Sequence, residues 1–355
     1  MSSRKSKANH CRGPFVVFFL LSFVTAGGFG QTPAKPQFGY VVLPFKNSTD
    51  FEGRWELRVD VPRYLAVYLK AKYGVLAVSP VVVLGYLHQE NLPDDEIDDV
   101  KFWNDLYRKF GCRYLVTGTI GLFDVSRFTT SSAQIGGYEA FKGEVSISYE
   151  LYDLEATSRS VSAVRYTTGE ARGEFADRSL ALTLLGKPTD RTVEYRDLDK
   201  IPFGSEDFNR TVIGQACLRM ADEFTLGLEG KFPILRSKEF LSGALTALGT
   251  EISDSSDIVF RGRIVTGIVA FLENEAAFVN IGSEDGVRQG QFVSVYSQAR
   301  TDKDTSDIRF GKGMDRKIGE LEIVEIRGPH LSLARIKDGK GEIRQKDRVR
   351  IRVLE

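Results

Sequence analysis

The hydrophobic period of this chain changes near residue 255, and that change sets what the chain can fold into. Upstream, short apolar runs alternate with stripes that recur every three to four residues. Downstream the period is two, with turns every few residues. Val41 to Phe45 and Tyr114 to Ile120 are continuous apolar runs of strand length, as strands buried on both faces require. Between them, Val61, Tyr64, Leu65, Tyr68 and Leu69 share one helical face, and so do Trp103, Leu106, Tyr107 and Phe110. Strand and helix in alternation predict an α/β layer with parallel pairing. Short strands at 278–281, 291–296, 318–326, 331–336 and 347–353, with turn pairs at Asp285-Gly286 and Gln289-Gly290, predict a small all-β barrel. With 355 residues there is room for two such domains at ~100–200 residues each.

Prolines and caps mark the helices. Asp60 with Pro62, and Ser79 with Pro80, are cap-plus-proline starts, the second helix running to about Glu90. The acidic stretch PDDEIDD, residues 93 to 99, leads into a third helix that Gly111 closes. From Glu144 to Asp153 the pattern alternates, with Val145, Ile147, Tyr149 and Leu151 on one face. This strand is expected to form an antiparallel hairpin with a second one over Ser160 to Gly169. Residues 171 to 205 read as a polar, irregular insertion. A long helix follows from about Asp207 to Leu228, where Phe208, Val212, Ala216, Met220 and Phe224 step by four. The expected domains are thus an α/β domain over 39–230, a linker over 231–254 and a barrel over 255–355.

The N-terminus reads as an export signal. Arg4, Lys5, Lys7 and Arg12 precede the apolar core from Pro14 to Ala26, and small residues follow it. A signal peptide over 1–30 and a linker over 31–38 are expected, with cleavage after Gly28 or Gly30. The apolar core is short for a membrane anchor. No Cys follows it, so no lipid anchor is expected. The whole chain balances 48 Lys+Arg against 48 Asp+Glu. Loss of four basic residues leaves 44 against 48, or −4, which disfavours a nucleic-acid partner. Cys112 and Cys217 then remain, read as two separately buried thiols.

Motifs that carry chemistry are sparse. After processing only His88 and His330 remain, with no HxxH or CxxC spacing for a metal. No GxSxG elbow and no phosphate loop occurs. A non-enzyme without cofactor or metal is therefore expected. One interaction feature stands out. The last strand sets Arg348, Arg350 and Arg352 on one face against Val349, Ile351 and Val353 on the other. Such a face either binds an acidic partner or guards a strand edge against aggregation.

Four motifs then resemble one family in order. They are VVLPFKNST (41–49), CRYLVTGTI (112–120), EVSISYELYDLEA (144–156) and FNRTVIGQACLRMADEF (208–224). Together they resemble the curli-secretion lipoprotein (CsgG-type) family, whose fold is shared with the N-terminal domain of TolB. Cys112 stands where that pattern has a small Ala. The stretches FVNIGSEDGVRQGQFVSVY (278–296), IGELEIVEI (318–326), LSLARI (331–336) and IRQKDRVRI (343–351) resemble the SH3-like C-terminal domain of the flagellar assembly protein FlgT. The resemblances imply a periplasmic or outer-membrane-associated scaffold or assembly factor for a secretion or flagellar-type machine. The implied partners are other envelope proteins, peptidoglycan, outer-membrane components or a second copy of the chain. They also imply a rival, an oligomeric curli-type channel, whose membrane hairpins would fall at 121–143 and 171–200. Neither region shows the alternation of barrel strands, and Asp177, Arg178, Lys187, Asp190, Arg191 and Glu194 burden the second. A third reading, from another class, is a periplasmic hydrolase.

Overall fold

The computed structural model describes residues 37–132, 135–182, 198–232, 235, 258, 260–297 and 316–354. The expected signal peptide, most of both linkers and the segment 183–197 lie outside the described residues.

The first half is a mixed sheet with helices, as expected. Its strands are β1 (Gln37–Val42), β2 (Lys46–Asn47), β3 (Leu76–Val78), β4 (Cys112–Ser132), β5 (Ile135–Asp153) and β6 (Arg165–Leu182), in the order β3-β1-β4-β5-β6, with β2 beside β4. β1 pairs in parallel with β3, Val41 opposite Val78, and with β4, Val41 opposite Leu115. β4, β5 and β6 form an antiparallel meander. Val41 and Val42 show why the opening run is unbroken: the first enters the core under α2 (Pro80–Gln89) and α3 (Val100–Phe110). The second enters the larger core under α1 (Leu57–Tyr73). Neither strand face meets water there.

Local chemistry fixes the helix ends. Asp99 caps α3 by accepting from the Lys101 N–H, and Gly111 ends it in the left-handed region at φ 65°. α1 begins one turn before the expected Asp60, so Pro62 lies inside the helix. Proline has no N–H for the Arg58 carbonyl one turn back. The Phe45 N–H takes that carbonyl at 2.9 Å instead, tying the β1–β2 turn to the helix.

Three further expectations change. The partner of β5 starts at Arg165, because 154–157 form a short helix, α4 (Leu154–Thr157), capped by Asp153. Residues 171–182 are not irregular but continue β6. The long helix is two, α5 (Glu206–Arg210) and α6 (Val212–Lys231), broken at Thr211, whose hydroxyl caps α6 through the Gly214 N–H.

The second half is a closed barrel of β7 (Gly262–Glu273), β8 (Ala276–Val279), β9 (Phe292–Tyr296), β10 (Lys317–Gly328), β11 (Leu331–Asp338) and β12 (Arg348–Leu354), in the order β10-β11-β8-β7-β12-β9. Its core is its own: Val265, Val269, Val279, Val293, Val295, Leu321, Ile323, Ala334, Val349 and Ile351. One end of it meets the α/β layer. Phe260 stands edge-on to Tyr64 at 4.8 Å and to Tyr68 at 5.0 Å, and Leu354 is buried among the α/β core residues.

Candidate functional site

Three surfaces carry the chain's interaction chemistry. The first is the arginine face of β12. Val349, Ile351 and Val353 fill the barrel, so the alternation turns Arg348, Arg350 and Arg352 outward. The Arg350 guanidinium lies over the Tyr296 ring, 4.8 Å from its centroid. Ile264, opposite Arg352 on β7, is 63% exposed. β12 pairs with β7 along its whole length and with β9 from Arg348 to Arg350, so Arg348 and Arg350 lie on a strand paired on both sides, while Arg352 lies beyond the β9 pairing.

The second is the arm made by β4, β5 and β6. α6 lies directly on it. A Cβ at Gly173 would stand 1.8 Å from the Ala216 carbonyl oxygen, and one at Gly143 would stand 2.6 Å from that of Val212. The opposite face carries a charge ladder across strands. Lys142 meets Glu144 at 3.2 Å and Glu174 at 2.9 Å, and Arg172 meets Glu144 at 2.6 Å. Lys142 and Arg172 reach water, where salt screens such pairs and each contributes little to stability. Past Val125 and Gly143, β4 and β5 stay paired to Ser132 and Ile135.

The third surface is internal and was not read from the sequence. Where the barrel meets α1 and α6, Lys72, Asp222 and Glu229 are all buried. The Lys72 ammonium donates to Thr225 Oγ1 at 2.9 Å and lies 3.8 Å from Asp222 and 3.5 Å from Glu229. The Tyr68 and Tyr73 hydroxyls donate to Asp222 and Glu229 respectively. Burial first, then the Asp222 charge, push the Tyr68 phenol well up, so it stays a donor. The barrel adds Arg288, which donates to Asp222 and whose own N–H is held by Gln291 Oε1 at 2.9 Å. Beside them is a cavity of about 10 Å³, lined by Lys72, Leu226, Glu229, Gln291, Phe292 and Ile351 and sized for one water. The sequence signal was present. Lys72 follows Tyr68 by four, and Asp222, Thr225 and Glu229 are spaced by three and four, so charges stand on stripes that should be apolar.

The remaining candidates do not converge. His330 sits in the β10–β11 turn, with Nδ1 3.0 Å from Asp285, and His88 is exposed near the end of α2. Cys112 and Cys217 are both buried and unbridged, in different cores. Among the described residues, no group of three His, Cys, Asp or Glu is placed to hold a metal.

No protein-family model and no curated protein matches the chain. Solved structures do. The hypothetical protein CT253 from Chlamydia trachomatis is similar at 14% identity and a TM-score of 0.32, covering 55% of this chain and 96% of its own. The lipoprotein GNA1162 from Neisseria meningitidis is similar at 15% identity and a TM-score of 0.27, covering 46% of this chain and 97% of its own. The LpoB C-terminal domain from Salmonella enterica is similar at 9% identity and a TM-score of 0.24, covering 40% and 85%. The resemblances to the curli-secretion and flagellar assembly families therefore stand on the sequence motifs alone.

Proposed function

We propose that this chain is an exported, non-catalytic scaffold subunit of the cell envelope. In this reading the α/β layer presents a β arm and the barrel is a docking module. The arm is the observation that carries it. β4 continues through Ser126 to Ser132 after its partner strand has passed the N-terminus of α6. At ~3.4 Å per residue, that stretch extends ~24 Å. A paired extension of that length is suited to reaching a partner. Envelope proteins, peptidoglycan or outer-membrane components and further copies of the chain are the partners this reading implies. Shortening the arm by matched residues from β4, β5 and β6 tests it. The expected result is a folded protein lost from the envelope fraction of the exporting cell. Retention of the shortened protein in that fraction would overturn it.

The same length favours a second reading, an oligomeric secretion-channel subunit, since the apolar band of an outer-membrane barrel is ~25 Å tall. Conductance of the purified full chain in a planar bilayer distinguishes the two. Discrete channel steps support the pore, and a silent bilayer with intact oligomers supports the scaffold.

A further inference from the structure

The joint between barrel and α/β layer holds charges where an apolar contact would suffice. Phe260 and Leu354 already supply an apolar contact, but burial of apolar area is non-directional and fixes no single orientation. The charged groups are different. Lys72 on α1 and Asp222 and Glu229 on α6 sum to −1 without the barrel. Arg288, between the short turn at 283–285 and β9, brings the sum to zero when it reaches Asp222.

We propose that the Arg288–Asp222 pair is an orienting latch: it neutralises the buried cluster in one docked position of the barrel and leaves it charged in any other. Asp222 keeps the Tyr68 hydroxyl and Lys72, but without Arg288 the buried cluster carries one uncompensated negative charge, so positions that part Arg288 from Asp222 are disfavoured beyond their loss of apolar contact. The latch acts where α6 also meets the arm. The same helix touches Gly143 and Gly173 through its first turns and holds Arg288 through Asp222 further along. Barrel and arm are thereby set against one rigid element. This inference is independent of the envelope role proposed above.

The cluster holds two cations and two carboxylates, Arg288 on Asp222 and Lys72 between Asp222 and Glu229, and this balance gives the latch a signature. Removing one of Arg288 and Asp222 leaves a net charge. Removing both restores neutrality, because Lys72 and Glu229 still balance. Arg288→Met and Asp222→Asn, alone and together, in the full chain test this. Spin labels at Val81, 42% exposed on α2, and at Phe271, 53% exposed on β7, report the orientation of the barrel. The unsubstituted chain is expected to give one narrow distance. Each single variant is expected to broaden it or add a second distance, and the double variant to recover the narrow one. If a single variant fails to fold, folding of the double variant is the readout, and its failure overturns the latch. Singles that keep the narrow distance, or a double at least as broad as the worse single, also overturn it.

Discussion

Gly173 of β6 and Ala216 of α6 touch backbone to backbone: a Cβ on the glycine would stand 1.8 Å from the alanine carbonyl oxygen and 2.5 Å from the Met220 nitrogen. Neither neighbour is the end of a flexible side chain, so helix or strand must shift to admit a side chain. Gly173→Val is expected to destabilise the protein by about 1–3 kcal/mol, the usual range for overpacking. Gly121→Ala, whose Cβ would meet only Ser146 Oγ at 3.5 Å, is expected to stay within ~0.5 kcal/mol. Denaturant unfolding of both variants checks this, and equal stability of the two would show that α6 does not bear on β6 there.

The two buried thiols are expected to be inert in the folded protein. Burial pushes Cys112 up to about 12 and Cys217 higher still, so neither holds appreciable thiolate at neutral pH. A thiol-specific reagent at pH 8 is expected to leave both unlabelled in the native chain and to label both after denaturation. Native labelling at either would place it at the surface.

What the sequence revealed, and what it hid, follows from burial on one face or two. Val41 and Val42 were legible because both faces of β1 meet a core, but the strand is Gln37–Val42 and the apolar residues from Leu43 to Phe45 follow its end. The barrel was legible because Val349, Ile351 and Val353 alternate cleanly with arginines. β6 beyond Gly169 was not, because its inward positions Ala171 and Gly173 are small so that α6 can approach. The packing that requires the strand removes the bulky residues that would announce it. The charged cluster was missed for a related reason. Lys72, Asp222 and Glu229 break an apolar stripe, and only the partners brought by the fold explain them. The start of α1 was misplaced because Pro62 reads as a first-turn residue unless the Phe45 N–H is known to donate to the Arg58 carbonyl that Pro62 leaves free.

His330 is expected to titrate above the ordinary histidine value of ~6.5. Its hydrogen bond to Asp285, then the Asp285 charge, raise it. The sign follows from linkage. The folded value lies above the unfolded one, so the pair's contribution is fully present below ~6.5 and is lost as pH rises through the folded value. An NMR titration of His330 checks the shift, and Asp285→Asn is expected to lower the midpoint. A midpoint that ignores the substitution contradicts the pairing.

The arginine face separates docking from mere solvation. Changing Arg348, Arg350 and Arg352 together to Gln is expected to leave stability nearly unchanged and to release the protein from the envelope fraction. Rising salt is expected to release the unsubstituted protein likewise, since exposed charges are screened beyond ~8 Å at physiological ionic strength. Retention that ignores both changes removes this face as a docking site.

The envelope-scaffold account is tested most directly by fractionating the exporting cell and sizing the full-length protein in each fraction. The account expects the chain in the envelope fraction, in a particle larger than one copy. A soluble monomer, absent from the envelope fraction at low salt, would contradict it.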